Sequence, residues 1–243
     1  MTNYSRLRTP GAIDSVVSST EYLAAILVDN PIAVWPLAGA STTESVSGRS
    51  ISFNGTPTST TGPPTTPSIA TATAFAGAFS QYGNVAANPV FGPSGDITWE
   101  AWVLRASGSA AASVCGASPN SGNPCAWGID TQGAGSSNKW RAFITDSAGN
   151  PYVAAADTST ITLGTWYHLA VTLLGTTLTL YVNGAPVSTS GPSGTRYAPG
   201  SVPVQIARYN STFTQYFTGS IAYLAFYGAA LSAASVASHY AAV

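Results

Sequence analysis

One stretch constrains the fold of this chain more than any other: residues 163–187, LGTWYHLAVTLLGTTLTLYVNGAPV. Apolar residues recur at every second position in two successive runs: Tyr167, Leu169, Val171 and Leu173, then Leu178, Leu180 and Val182. This period of two is typical of half-buried β-strands. Between the runs, Gly175-Thr176 suits a type II′ hairpin turn, and Asn183-Gly184 suits a second tight turn with positive φ. The stretch predicts two antiparallel strands followed by a short third one.

The composition restricts where such a chain works. Charged residues make up 7% of the 243 residues, against roughly 25% in an average domain, while 45% are hydrophobic. The core can therefore be large, but uncharged polar residues must cover the surface, which suits a life outside the cell or burial in an assembly. The net charge of -1 and the single lysine, Lys139, argue against nucleic-acid binding, which needs clustered basic residues.

The N-terminal residues carry no recognisable export signal. No apolar run approaches the roughly 20 residues of a membrane span, and residues 1–17 contain arginines without an apolar signal-peptide core. A virion protein made in the cytoplasm and released by lysis would combine these properties, as would a domain separated from its signal. We interpret residues 1–17 as an arm, disordered or docked on a neighbouring virion protein, that precedes one domain at 18–243.

The rest of the chain predicts further strands. Ser18 and Glu21 fit a capping box before a short helix, and Ser232 caps a last one. Residues 40–68 are rich in Ser, Thr, Pro and Gly and predict a long surface loop. Residues 97–105, ITWEAWVLR, are apolar on both faces apart from Glu100 and predict a central strand. Together these features predict an all-β fold, a two-sheet antiparallel jelly-roll sandwich with a short helix near each end.

Two cysteines, Cys115 and Cys125, flank a segment rich in Gly, Ser, Asn and Pro. Two thiolates without neighbouring histidines make a poor zinc site. The preferred interpretation is a loop-closing disulfide, and two free thiols are the alternative.

Five motifs together resemble the laminin-G-like members of the concanavalin A-like lectin/glucanase superfamily. They are YLAAILVDNPIAVWPL, FAGAFSQYGNV, ITWEAWV, GTWYHLAVTLLGTTLTLYVNGAPV and FTGSIAYLAFYGAALSAASVASHYA, spread over about residues 20–243. The resemblance implies two antiparallel sheets packed face to face, one of them concave. It does not imply one activity, because the fold serves lectins, adhesins, hydrolases and structural modules.

Two departures from the family concern its structural calcium. Many relatives carry acids after the first Trp-containing strand and an Asp after the G-x-I of the closing strand. Here the first region has only Glu44, and Ala222 follows Gly219-Ser220-Ile221. Calcium takes six to eight oxygen ligands, several of them charged. The sequence therefore disfavours a structural calcium, and we expect no metal site and no cofactor.

The sequence also argues against catalysis. Glycosidases of this superfamily need two carboxylates close together, but Glu21, Glu44 and Glu100 lie in three separate segments without an E-x-D-x-E pattern. Glu100 is interpreted as a structural acid paired with a buried donor. His168 and His239 are interpreted as structural too, since no G-x-S-x-G nucleophile motif accompanies them.

What remains is binding. Loops on a rigid sheet hold sugars through aromatic faces and amide or carboxylate hydrogen bonds. The candidate ligand-binding residues lie in one hairpin and in the segment RYNSTFTQY: Trp140, Asp146, Asn150, Tyr152, Tyr209, Asn210, Phe213, Gln215 and Tyr216. The alternative is that these aromatic residues fill the edge of the core or a protein interface.

The sequence thus favours a non-enzymatic, lectin-like module on a bacteriophage tail or capsid surface, or otherwise outside the cell, that adheres to host-surface glycans. The first alternative is a structural virion decoration or minor tail protein that makes only protein–protein contacts. The second is a secreted glycan-processing enzyme. We expect no membrane insertion, and homo-oligomerisation is left open.

Overall fold

The computed structural model describes residues 21–63, 69–77, 81–92, 94–108, 111–118, 125–131, 138–147, 151–191, 195–209 and 215–243, with the backbone alone for 151–156. The predicted arm at 1–17 and the capping residue Ser18 lie outside these ranges.

The described part of the chain contains two short α-helices and fifteen strands. The helices are α1 (Glu21–Leu27) and α2 (Ala233–Ala241). The strands are β1 (Ala33–Trp35), β2 (Ile51–Asn54), β3 (Thr58–Thr61), β4 (Thr71–Ala76), β5 (Tyr82–Asn88), β6 (Ile97–Arg105), β7 (Ser113–Ala117), β8 (Trp127–Thr131), β9 (Trp140–Thr145), β10 (Pro151–Ala156), β11 (Trp166–Leu174), β12 (Thr177–Val182), β13 (Ala185–Ser190), β14 (Val202–Ile206) and β15 (Thr218–Tyr227).

The strands form two antiparallel sheets packed as a sandwich. Within the described residues, one sheet has eight strands in the order β13-β12-β11-β6-β15-β4-β3, with β1 paired to β15. The other has seven in the order β10-β9-β8-β7-β14-β5-β2. This arrangement confirms the predicted all-β jelly-roll class, and β6 lies centrally between β11 and β15 as its two apolar faces predict.

Aromatic rings fill the space between the sheets. The Trp127 ring lies 4.9 Å from that of Trp99 and 5.1 Å from that of Phe226, between centroids. The Trp127 indole N–H donates to the Phe91 carbonyl at 2.7 Å, which satisfies the polar atom of a side chain that is 1% exposed. The close packing of these large rings makes this centre a rigid support for both outer faces.

The stretch at 163–187 folds as its pattern predicts. β11 pairs with β12 from Leu169–Val182 to Leu174–Thr177, and its alternate apolar side chains enter the core. Gly175 has φ 57°, while Asn183 and Gly184 have φ 51° and 77°. Both predicted turns are therefore confirmed, including the two left-handed residues of the second.

The prediction of a surface loop at 40–68 is wrong in part, because β2 and β3 lie within it. β2 pairs with β5 at one edge of the seven-stranded sheet, and β3 pairs with β4 at an edge of the eight-stranded sheet. Ile51 is the only buried residue of β2, and β3 consists of Thr and Ser. Edge strands need little burial and β-branched threonines favour the extended state, so weak apolar content did not exclude strands.

Both helices pack on the outer face of the eight-stranded sheet. Tyr22 and Ile26 of α1 are buried against residues of β6 and β15, and Val236 of α2 packs on β11 and β12. The predicted Ser232 cap is confirmed, since its hydroxyl accepts from the Ser235 N–H at 3.0 Å. Neither helix is long and apolar enough to cross a membrane. Neither of the two described α-helices packs on the outer face of the seven-stranded sheet.

Candidate functional site

A row of polar side chains crosses the outer face of the seven-stranded sheet. Ser52 of β2, Asn84 of β5 and Gln205 of β14 lie opposite one another in the strand register. Their chain neighbours Val85 and Val204 belong to the core. Since successive side chains of a strand point to opposite faces, the polar row faces outward.

Arg208 completes this row just after β14. Ala207 has φ 61°, an unusual conformation for a residue with a Cβ, and it turns the chain as the strand ends. The guanidinium carbon of Arg208 lies 3.5 Å from the centre of the Tyr82 ring, a cation–π contact. Arg208 Nε and Nη2 donate to Gln205 Oε1 at 3.1 and 2.6 Å, and Gln205 Nε2 donates to Asn84 Oδ1 at 2.6 Å. These bonds fix the row in one arrangement.

Beside this row lies a cavity of about 310 Å³, the β2–β5 groove, lined by Ser52, Phe53, Asn54, Tyr82, Asn84 and Arg208. Its size falls at the lower end of small-molecule sites. Its amides, hydroxyls and guanidinium offer hydrogen-bond donors and acceptors side by side. None of the described residues that line the groove is acidic, so they can bind and orient a ligand but supply no carboxylate to act as acid, base or nucleophile.

The structure separates the sequence-predicted binding residues. Trp140 is fully buried and packs edge-on against Tyr167 in the core, so assigning it to a ligand site was wrong. It opens β9 on the inward face, together with Ala142 and Ile144. Asp146 is 9% exposed and its backbone forms a β-bridge with Arg196.

The segment 208–216 lies closer to the groove. Tyr209 is half-buried, and its ring lies 5.7 Å from that of Phe143 on the same outer face. Gln215 is half-buried, and its backbone carbonyl accepts from the Ser113 N–H at 3.2 Å. Tyr216 is close enough to Arg208 and Tyr82 to interact electrostatically with both. Among the described candidates, Tyr216 alone is brought to the groove residues. The rest of the predicted set, Asn150, Asn210, Phe213 and the Tyr152 side chain, lies outside the described residues.

Sequence reasoning missed the groove residues Ser52, Asn54, Tyr82, Asn84 and Arg208. A signal existed, since polar residues alternate with apolar ones in ISFN and in YGNV. Recognising it required knowing that β5 pairs with both β2 and β14, whose paired residues Asn84 and Gln205 are 121 positions apart.

The predicted disulfide is not formed, and both thiols are free and buried. Cys115 lies on β7 among core residues, and the Cys125 thiol donates to the Tyr209 carbonyl at 3.1 Å. Burial raises the pKa of each thiol to about 12, so neither forms a thiolate readily. Cys115 lies in β7, a strand of small residues in the middle of the sheet, rather than at the start of a loop, and it serves there as a small hydrophobic side chain.

A buried ionic network fastens both helices to the eight-stranded sheet. Glu100 accepts hydrogen bonds from the Tyr227 hydroxyl, from His168 Nε2 at 3.1 Å and from His239 Nδ1 at 3.0 Å. His239 Nε2 lies 3.0 Å from Asp29 Oδ2, just after α1. The interpretations of Glu100 as a paired structural acid and of both histidines as structural fit this geometry. Glu100 and His168 are 0% exposed, which leaves a substrate no access to them.

The network sets two opposite pKa shifts. Burial alone would raise the pKa of Glu100, but hydrogen bonds and charge from His168 and His239 lower it to about 2. For His239, burial lowers the pKa, but the hydrogen bond and charge of Glu100 and the charge of Asp29 raise it above its ordinary value of 6.5. Both shifts favour the charged pair.

These shifts predict a bell-shaped dependence of stability on pH. Glu100 contributes stability above its ordinary pKa of 4.5, and this contribution is lost as pH falls through about 2. His239 contributes stability below 6.5, and this contribution is lost as pH rises through its raised pKa. The free energy of unfolding, measured by urea titration, should therefore be highest between these ordinary values. A matched His239→Gln variant should lose the alkaline limb of the curve, and an unchanged limb would show that another group titrates there.

Glu44, the acid that follows the first Trp-containing strand, accepts hydrogen bonds from protein donors. Its Oε1 accepts from the backbone N–H groups of Val34 at 2.7 Å and Val46 at 2.8 Å, while Oε2 accepts from the Ser47 hydroxyl at 2.8 Å and the Arg49 N–H at 3.3 Å. Burial opposes its charge, but the bonds from Val34 and Ser47 lower its pKa below the usual value. A carboxylate surrounded by N–H and O–H donors does not fit the ligand set of a calcium ion.

Stability is accordingly predicted to be independent of calcium. Ala222, at the second acidic position of the relatives, is buried and offers no ligand oxygen from its side chain. Melting curves recorded with EDTA and with added calcium should coincide, with a known calcium-dependent lectin as the positive control. A fall of many degrees in EDTA that calcium restores would contradict this prediction.

The sequence itself decides the family. Residues 76–237, more than half of the chain, match the family model Laminin_G_3, concanavalin A-like lectin/glucanases superfamily. The chain belongs to this superfamily. Membership confirms the resemblance inferred from the five motifs and agrees with the two-sheet sandwich. No curated protein sequence matches the chain.

Solved structures share the fold of this superfamily member at low identity. Domain 4 of AbnA, a GH43 extracellular arabinanase from Geobacillus stearothermophilus solved in complex with arabinotriose, has a TM-score of 0.70 and 16% identity over 86% of this chain and 98% of that domain. The binding domain of Paraclostridial Mosquitocidal Protein 1 has a TM-score of 0.68 and 14% identity over 88% of this chain and 52% of that one. Trypanosoma rangeli sialidase has a TM-score of 0.59 and 14% identity, over 86% of this chain and 32% of that one. At such identities the likeness shows the fold alone.

Proposed function

We propose that this chain is a non-catalytic carbohydrate-binding module and that the β2–β5 groove holds the glycan. The observation that carries the proposal is the fixed polar row of Asn84, Gln205 and Arg208 beside an accessible cavity on the face that the described helices leave free. Functional sites of this kind sit on rigid elements with few converging polar groups.

The chemistry of the groove suits sugar hydroxyls, which both donate and accept. Ser52, Asn54 and Asn84 offer the same mixed capacity in side chains with few rotatable bonds. Asn84 is already oriented by Gln205, so little conformational freedom is lost when a ligand binds. Tyr82 and Tyr216 add aromatic surface next to these polar groups.

Two further points support binding without catalysis. Glycoside hydrolysis in this superfamily requires two carboxylates at the sugar, and the residues that line the groove include none. Domain 4 of AbnA, which has the same fold over 98% of its length, was solved with arabinotriose bound.

The proposal places the module outside a cell. A content of 7% charged residues suits such a setting. We propose that residues 1–17 attach the module to a phage particle and that the module faces host-surface glycans. The rival is a virion decoration that contacts only other proteins.

A glycan array probed with the purified full chain tests the proposal, using neutral and acidic oligosaccharides alike. Calorimetric titration of each hit should then show affinity at least about tenfold weaker for Tyr82→Ala and for Asn84→Ala. Tyr240→Ala, an aromatic truncation on α2 at the opposite sheet, serves as the matched control and should bind as the parent does. Glycan binding that both groove variants retain would move the site elsewhere. Binding to virion proteins with no glycan bound would favour the rival.

A further inference from the structure

We infer that the glycan of the β2–β5 groove carries a carboxylate and that Arg208 binds it. This inference rests on the proposed function and adds the class of sugar to it. It starts from Arg208, a residue that is 7% exposed, lines a ligand-sized cavity and has no acidic partner among the described residues.

The acids of the chain are engaged elsewhere. The chain has nine Asp and Glu residues, all within the described ranges except Asp14. Asp130 pairs with Arg141 at 2.5 Å, and Asp29 and Glu100 both face His239. The remaining buried or half-buried acids bond to backbone groups or lie outside the groove: Glu44, Asp96, Asp146 and Asp157.

The described partners of Arg208 are neutral rather than acidic. Gln205 Oε1 accepts from both Nε and Nη2, and the Tyr82 ring covers one face of the guanidinium. Burying a cation against an amide and a ring leaves much of its hydration uncompensated. Arg141 on the same sheet differs, because its guanidinium is paired with the Asp130 carboxylate of the neighbouring strand.

One edge of the guanidinium is not occupied by any described residue and can bind a carboxylate. Gln205 occupies the Nε/Nη2 edge, and Nη1 has no acceptor among the described residues. The Nη1/Nη2 edge of an arginine matches the two oxygens of a carboxylate in a planar, bidentate pair. Tyr82 and Gln205 hold this fork in place before the ligand arrives, which lowers the entropic cost of the bond.

The rest of the lining indicates a sugar acid rather than a free anion. Apart from Arg208, all lining residues are neutral, and Ser52, Asn54 and Asn84 suit hydroxyl groups. A pyranose with one carboxylate and several hydroxyls can bind Arg208 through the carboxylate and the neutral lining residues through the hydroxyls. Sialic acids and hexuronic acids share this chemistry, and the experiment separates them.

The test compares each acid with its neutral counterpart: 3′-sialyllactose with lactose, and trigalacturonate with its methyl ester. Calorimetry on the full chain should show one acid bound at least about tenfold tighter than its counterpart, as expected for a charge-assisted hydrogen bond. Raising NaCl from about 50 to about 500 mM should weaken the binding of the acidic sugar and leave the binding of its neutral counterpart unchanged. The pair that shows the difference identifies the sugar class.

Variants assign the preference to Arg208. Arg208→Gln should remove the preference, so that the acid and its neutral counterpart bind with equal affinity, and Arg208→Lys should keep only part of it. Lys139→Gln removes the same charge beside β9, four strands from β5 in the sheet, and should bind as the parent does. If the parent bound the acidic and the neutral sugar with equal affinity, the inference would be overturned and the proposed function would stand. This comparison uses the parent chain alone. A preference that survives in Arg208→Gln would overturn it as well. Failure of every sugar to bind the parent would sink both proposals.

Discussion

Glu100→Gln is expected to lower the free energy of unfolding by about 3–5 kcal/mol near pH 6, the cost of breaking a buried ion pair. The variant keeps the shape of the side chain but removes the charge that balances His239. It also places an NH₂ group among the Tyr227 hydroxyl, His168 and His239, which all direct donors at Glu100. At least one buried donor then lacks an acceptor. For a chain of this size the melting temperature should fall by roughly 6–20 °C.

Urea unfolding followed by tryptophan fluorescence measures this loss, and Glu21→Gln is the matched control. Glu21 undergoes the same chemical change on an exposed position of α1, where the effect should stay within about 0.5 kcal/mol. The acid limb of the stability curve should also vanish in Glu100→Gln, because the group that titrates near pH 2 is gone. Equal stability of Glu100→Gln and the parent would show that the network does not hold the helices to the sheet.

The hairpin at 163–187 and the central strand β6 could be predicted because their information is local. Alternation in β11 and β12 places apolar residues on one face whatever their partners are. Asn183-Gly184 specifies a turn in two residues, since few other pairs tolerate positive φ twice. The same applies to the Ser232 cap, which depends on residues three positions apart.

The groove could not be predicted in the same way because it depends on pairing between distant segments. Ser52, Asn84 and Gln205 become neighbours only once β2, β5 and β14 lie side by side. Trp140 is the reverse case, a residue that was predicted to bind a ligand but that the fold places in the core. An aromatic residue near a turn resembles a sugar platform in sequence, but its place on the inward face of β9 puts it in the core. Facing inward or outward is decided by register, which one segment alone does not reveal.

The two faces of the sandwich divide structure from binding. The outer face of the eight-stranded sheet is covered by α1 and α2, and Glu100 there is paired with His239. The seven-stranded sheet keeps a polar row outside, and there Arg208 has no carboxylate among the described residues. Stability variants on the first face should therefore leave glycan binding intact as long as the domain is folded, whereas groove variants should weaken glycan binding.

Gly184→Val is the second change expected to have a large effect, at about 2–6 kcal/mol of unfolding free energy. A β-branched residue at φ 77° costs about 1–3 kcal/mol in backbone strain. A Cβ at this position would also lie 3.0 Å from both Cβ and Cδ1 of Tyr240 on α2. The Tyr240 Cβ is fixed to the helix, and its ring stacks on Trp102 at 5.8 Å, so neither can move away freely. Overpacking of this kind adds about 1–3 kcal/mol.

Gly175→Val separates the two causes, because Gly175 also has positive φ, 57°, but no atom lies within 4 Å of a Cβ added there. It should lose only the strain, about 1–3 kcal/mol, in the same urea titration. A larger loss for Gly184→Val than for Gly175→Val then measures how tightly α2 is pressed on the turn between β12 and β13. Equal losses would mean that α2 shifts to accommodate the new side chain, and the helix would then be held mainly by the His239 ion pairs. If Gly184→Val were as stable as the parent, the left-handed backbone conformation assigned to Gly184 would be wrong.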